Sequence, residues 1–124
     1  MNFHPSDDRR MLADSLDRYV AEQYGIETRH RISQSAAGYS AEQWSQFADL
    51  GIIAALFTEA QGGLGGTGFD IATVFESLGR GLVVEPFLAS AVLAGSALTH
   101  VGTPTQQALV DEIMAGRLIA TLAH

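Results

Sequence analysis

The stretch Leu50-Gly-Ile-Ile-Ala-Ala-Leu-Phe-Thr-Glu-Ala-Gln-Gly-Gly-Leu-Gly-Gly-Thr-Gly-Phe69 decides the fold of this chain. Five of the seven residues 62–68 are glycine, and two architectures could use them. Gly63, Gly65 and Gly68 have the spacing G-x-G-x-x-G after an apolar run and before a helical pattern, with Glu85 further on. That is the outline of a dinucleotide-binding βαβ unit. In the other architecture the glycines only supply left-handed turns and close backbone approach between two helices.

The flanking sequence favours the second. A parallel sheet needs several strands. With residues 52–57 and 82–85 as the first two, only residues 118–123 remain for a third. Thr58-Glu-Ala-Gln separates the apolar run from the first glycine, and Glu59 would set negative charge beside a pyrophosphate.

Elsewhere the pattern is helical. Ser6 is a good N-cap, with Asp7 and Asp8 in the first turn of a helix running to about Tyr24 and Gly25 as its stop. Met11, Leu12, Leu16, Tyr19 and Val20 share one face. A second helix covers roughly residues 27–36. Ser40 with Gln43 has the form of a capping box, opening a third helix that carries Trp44, Phe47 and Ala48 and ends at Gly51. Ile71, Val74, Phe75 and Leu78 mark a fourth, ended by Gly79 and Gly81. Pro86 opens a fifth that is apolar almost all round as far as His100, the mark of a helix buried among others. Thr103-Pro104 opens the last, which Gly116 stops. Residues 118–123 could form a lone strand without a partner. The expectation is an all-α bundle of about six helices, with an up-and-down or orthogonal arrangement.

A chain of 124 residues is one ordinary domain, long enough to bury a core without staples. With 47% hydrophobic and 17% charged residues it is globular rather than disordered. The net charge of -7, with no basic stripe, argues against nucleic acid as a partner. No cysteine is present, so neither a disulfide framework nor thiolate chemistry is available. No secretory signal is visible at the N-terminus, and the apolar segment 87–101 is too short and too polar to span a membrane. A cytoplasmic location is expected, with no membrane partner.

Self-contained chemistry is hard to find. His4, His30, His100 and His124 lie too far apart in sequence for a local metal pair. Gly95-Ser96 lacks the flanks of a nucleophile elbow. Asp14 with Asp17, and Asp111 with Glu112, read as solvated helix faces. His100 reads as a side chain stabilised by its helix terminus. No catalytic residue and no metal site is assigned.

Several marks together resemble the acyl-CoA dehydrogenase family. Leu50-Gly51-Ile52 followed by Thr58-Glu59-x-x-Gly62-Gly63-Leu64-Gly65-Gly66 resembles its pattern "LG…PE-x-x-GG-x-G". Glu76-Ser77-Leu78-Gly79 resembles "EELG". Thr103-Pro104-Thr105-Gln106-Gln107 with Gly116-Arg117-Leu118 resembles "GT-x-x-QK…L-x-x-G…G-x-x-x-A". The order and spacing hold over most of the chain. Thr58 stands where proline is usual, Ala60-Gln61 replaces an acidic-aromatic pair, and Val83-Val84-Glu85-Pro86-Phe87 is a variant of some bacterial branches, so the acyl specificity is left open.

The resemblance implies a subunit of three parts, an N-terminal helical domain, a β-domain and a C-terminal helical domain, of which residues 1–117 match only the first. Residues 118–124 would begin the β-domain. It further implies FAD between the later domains, a glutamate base supplied by the later part, and an acyl-CoA thioester oxidised between its α and β carbons. Electrons would leave through an electron-transfer flavoprotein, in a homo- or hetero-oligomer. For this chain it implies an acyl-cavity wall made by Pro86, Phe87, Leu88, Ser90 and Ala91, with Leu122 and His124 approaching the flavin. Ordinary core packing accounts equally well for Phe87 and Leu88. The chain alone is expected to be inactive and to hold no FAD. The other readings left open are a stand-alone helical interaction module and a non-catalytic subunit of a heteromeric acyl-CoA dehydrogenase.

Overall fold

The computed structural model describes residues 4–123, and among them every regular element is helical. Helix α1 (Asp7–Gln23) starts where Ser6 caps the Arg9 amide. Gly25 does not end it in a left-handed turn. It has an extended backbone and serves as N-cap of α2 (Ile26–Ser33), so the two helices are joined with almost no loop.

Helix α3 (Ala41–Asp49) begins at Ser40, whose side chain caps the Gln43 amide. The reciprocal half of the capping box is missing. The Gln43 side chain accepts instead from the Tyr19 hydroxyl at 2.5 Å, and the Ser40 amide it would have met donates to Glu85 Oε2 at 3.0 Å. Gly51, at φ 76°, ends α3 as expected: its amide bonds Ala48 O and the Ile52 amide bonds Phe47 O.

Residues 54–66 form two single 3₁₀ turns and a coil of glycines that leads to α4 (Gly68–Arg80). Thr67 and Asp70 close a full capping box at its start. Arg9 donates to Asp70 Oδ1 at 2.7 Å. Partial burial pushes the Asp70 carboxyl up, but the bonds from Thr67 and Arg9 outweigh it and hold the group below its ordinary value. At the other end Arg80 pairs with Asp17 at 3.2 Å, so α1 and α4 run side by side in the same direction.

Residues 87–101 form one continuous rod whose first part, Phe87–Ala94, is wound with wide π-type hydrogen bonding before tightening into α5 (Gly95–Val101). Helices α6 (Pro104–Gln107) and α7 (Leu109–Met114) follow end to end with a turn at Ala108, stopped by Gly116 at φ 73°. Counting these two composite rods, six rods make the bundle among the described residues.

The core is centred on Trp44 and Phe47, both essentially unexposed. Tyr19 meets Phe47 edge-on at 5.2 Å between ring centroids, and Phe87 meets Trp44 at 5.0 Å and Phe47 at 5.2 Å. Leu16, Ile52, Ile53 and Ile113 close the rest.

Residues 118–123 form no strand. A strand needs a neighbour for its ladder, and here the segment is an irregular strap pinned by side chains: Trp44 Nε1 donates to Leu118 O at 3.4 Å and the Ala120 amide to Ser90 Oγ at 3.0 Å. Leu118, Ile119 and Ala120 pack partly on the core.

Candidate functional site

The glycine-rich coil cannot cradle a phosphate in this conformation. Each amide from Gly62 to Gly66 is spent on the coil itself, donating in turn to Glu59 O, Thr58 O, Ala54 O, Phe57 O and Ala55 O. A phosphate-binding loop needs those amides free and converging. The glycines are required by space: a Cβ on Gly63 would lie 2.2 Å from Phe57 O, and one on Gly66 would lie 2.5 Å from Thr58 N. Glu85, which the dinucleotide spacing would set against a ribose, is buried and accepts from the Ser40 amide.

A groove of about 580 Å³ lies elsewhere, between α2, α4 and the start of the π-wound rod. Its walls include Phe75, Leu82, Val84, Pro86, Phe87 and Leu88, with Arg29 and Glu85 as the charged members. One wall is a short connection whose path is set by its local chemistry. Gly81 keeps a right-handed φ of -84°, because what it provides is room: a Cβ there would meet Val20 Cγ1 at 2.2 Å. The left-handed position that ends α4 therefore falls on Leu82, at φ 51°. The Leu82 and Val83 amides then satisfy Gly79 O and Leu78 O, both at 3.1 Å.

Two side chains hold the next residues in place. The Tyr24 hydroxyl accepts from the Val84 amide at 3.1 Å, and Glu85 Oε2 takes the Ser40 amide. Pro86, at φ -80° and ψ 56°, makes an inverse γ-turn in which the Phe87 amide reaches Glu85 O at 2.8 Å. Glu85 is only 5% exposed, and its Oε1 has no partner among the described residues. Burial pushes its carboxyl up, while the Ser40 amide and Tyr24 hydroxyl pull it back only in part. Burial likewise raises the Tyr24 hydroxyl.

The residues singled out from sequence fall in different places. Pro86, Phe87 and Leu88 come together in the groove, Leu88 exposed at its lip and Phe87 buried against Trp44. Ser90 and Ala91 are buried on the inner side of the rod, Ser90 holding the Ala120 amide. Leu122 lines a separate 250 Å³ groove with Ala94, Leu98, Val101 and Leu109. His124 lies outside the described residues. His100 is exposed, its Nδ1 2.8 Å from Ser96 O. In the sequence Arg29 has no assigned role, and Glu85 appears only in the glycine spacing and in the Val83–Phe87 variant. The available signal was a single acid inside the apolar run Leu82-Val-Val-Glu-Pro-Phe-Leu88, a pattern that asks for a buried partner.

Among the described residues no group of histidines and carboxylates is placed to hold a metal, and no helix is long and apolar enough to cross a membrane. The groove can hold a largely apolar ligand, and among the described residues no acid–base pair converges on it.

The family model described as acyl-CoA dehydrogenase, N-terminal domain, matches residues 6–116. The acyl-CoA dehydrogenase IpdE2 of Mycobacterium tuberculosis is 34% identical over 95% of this chain and 37% of its own length. FadE27 of the same organism, also an acyl-CoA dehydrogenase, is 29% identical over 99% of the chain and 33% of its own length. The chain thus spans about a third of these curated relatives. The solved ChsE4–ChsE5 complex of M. tuberculosis superposes with a TM-score of 0.84, at 28% identity, over 98% of this chain and 34% of the matched one.

Proposed function

The chain belongs to the acyl-CoA dehydrogenase family as its N-terminal helical domain, and from that premise we propose that it forms one wall of the acyl cavity in an FAD-dependent acyl-CoA dehydrogenase. Such an enzyme introduces a double bond between the α and β carbons of an acyl-CoA thioester. The observation that carries the reading is the apolar groove where the π-wound rod begins, in a domain of this family. Pro86, Phe87 and Leu88 shape that wall. Ser90 and Ala91 support it from within, Ser90 fixing the rod against the strap at Ala120.

FAD does not fit this chain alone. The coil that most resembles a pyrophosphate cradle has spent its amides on itself, and the N-terminus of α4 is capped by an Asp70 carboxylate. The flavin and the base therefore belong to a β-domain and a C-terminal helical domain, with residues 118–124 leading toward the first and Leu122 and His124 at its edge. The partners in this reading are the acyl-CoA substrate, an electron-transfer flavoprotein and further subunits, in the cytoplasm.

A heteromeric form of the same reading has its own support, since one structural relative is a complex of two different proteins. There this chain would belong to a subunit that lacks the base.

The test is to purify the protein from its host under native conditions. Assemblies that contain this sequence are expected to carry flavin and to bleach on addition of acyl-CoA, while the 124-residue chain alone is flavin-free and inactive. Stoichiometric flavin on the isolated chain, or none in any assembly, would sink the reading.

A further inference from the structure

The groove wall holds a cation that no carboxylate among the described residues pairs with. Every basic residue of the chain is an arginine, seven against fourteen acids. Arg9, Arg10, Arg80 and Arg117 each pair with a carboxylate. Arg29 makes no ion pair among the described residues, although acids outnumber bases two to one. It is half-buried on α2, and its Nε donates to Leu82 O at 3.3 Å, which leaves both terminal nitrogens without a partner among the described residues at the groove wall. Arg18 and Arg31 also lack ion pairs among those residues, but neither lines the groove.

The anchor itself is unusual. Leu82 carries the one left-handed φ of a non-glycine among the described residues. Such backbone persists only where its surroundings over-determine it, and it clusters at ligand sites. Glu85, the other charged member of the wall, gives Arg29 no compensation, because it is buried and turned toward the Ser40 amide.

We propose that Arg29 makes this groove selective for a ligand whose apolar body carries a carboxylate, the guanidinium pairing with that carboxylate while Phe75, Leu82 and Leu88 enclose the body. The proposal rests on the groove being the acyl site and names the acyl class, one with a second carboxylate remote from the thioester. A planar guanidinium with two free nitrogens matches a carboxylate in bidentate fashion. Apolar walls strengthen the pair relative to open solvent. For a half-exposed arginine the expected preference is roughly threefold to tenfold.

Three probes test this on the intact protein at pH 7, read from the backbone amide NMR shifts of Val84, Leu88 and Ala89: cyclohexanecarboxylate, cyclohexanol and inorganic phosphate. The carboxylate is expected to bind several-fold tighter than the alcohol, and in Arg29→Gln the two are expected to bind with equal affinity. Phosphate is expected to bind more weakly than the carboxylate, having no apolar body. Equal affinity for carboxylate and alcohol overturns this inference and leaves the acyl groove standing. Phosphate binding as tight as the carboxylate also overturns it, marking a simple anion site. Failure of both cyclohexyl probes to shift these amides sinks the acyl-groove reading, and the inference with it.

Discussion

Two connections of this bundle solve the same geometric problem with opposite chemistry. The coil between α3 and α4 turns the chain back on itself with glycines, and every amide from Gly62 to Gly66 closes on a carbonyl of the coil. The connection between α4 and the π-wound rod has a glycine at hand, Gly81, yet gives the left-handed position to Leu82. Among the described residues it also buries a carboxylate with one oxygen unpartnered, and the arginine at the groove wall has no ion pair. The first region is locally consistent, the second is not, and the second borders the 580 Å³ apolar groove. Sequences that specify a fold agree with themselves at every level except where function imposes a cost. The contrast therefore favours ligand binding at the second connection, against the pull of the glycine pattern toward the first.

The largest expected effect tests whether the coil is purely a packing device. At Gly63 an added Cβ would lie 2.2 Å from Phe57 O, whereas at Gly68, the last glycine of the supposed G-x-G-x-x-G spacing, nothing lies within 4 Å. Gly63→Ala should destabilise by roughly 3 kcal/mol, since the obstacle is backbone and cannot step aside. Gly68→Ala, in the first turn of α4, should be neutral or stabilising by about 0.5 kcal/mol. Urea unfolding of both variants measures the difference. Equal costs would mean that the glycines serve something other than local space.

That split also shows what the sequence could and could not disclose. The glycine run, the caps at Ser6 and Ser40 and the stop at Gly51 are local, and their residue types announce them. The use of Gly25 as a cap depends on how soon α2 follows α1, and the demand at Gly81 comes from Val20, on another helix and far away in sequence. The capping box at Ser40 is only half formed for the same reason: Glu85, distant in sequence, takes the amide that Gln43 would have used. The strap at residues 118–123 reads as a strand because its composition suits one, but Trp44 and Ser90 supply its partners. Of the groove, the apolar stretch at Pro86, Phe87 and Leu88 is legible. Arg29 is not, because an arginine on a polar helix carries no local sign that it lacks an acid.

A second test sharpens the contrast through pH. Burial raises the Glu85 carboxyl above its ordinary value of 4.5, so the fold favours the protonated form. Its favourable contribution is complete below that ordinary value and is lost as pH rises through the raised folded value. Glu85→Gln keeps an oxygen for the Ser40 amide and carries no charge at any pH. Below about pH 4.5 the two proteins should be nearly equal in stability. By pH 7 the variant should have gained on the wild type by on the order of 1 kcal/mol, the cost of a buried charge with an unsatisfied oxygen. Paired urea titrations at pH 4 and pH 7 cancel the other carboxylates. A difference that is constant with pH would show that Glu85 is well compensated and that the second connection is less costly than the contrast requires.

The smallest effect on stability is expected at the groove lip, where it separates binding from folding most cleanly. Leu88 is 55% exposed, while its neighbour Phe87 is 2% exposed and locked between Trp44 and Phe47. A half-exposed leucine contributes little to the core, so Leu88→Ala should change stability by no more than about 0.5 kcal/mol. The same methyl groups bound the open side of the groove, and their loss should weaken an apolar probe such as cyclohexanol by roughly threefold, from the area no longer buried on binding. NMR titration of wild type and variant, with urea unfolding as the control, measures both. If Leu88→Ala lost stability comparably to a core deletion and bound the probe unchanged, the start of the π-wound rod would be core throughout, and the second connection would be as purely structural as the glycine coil.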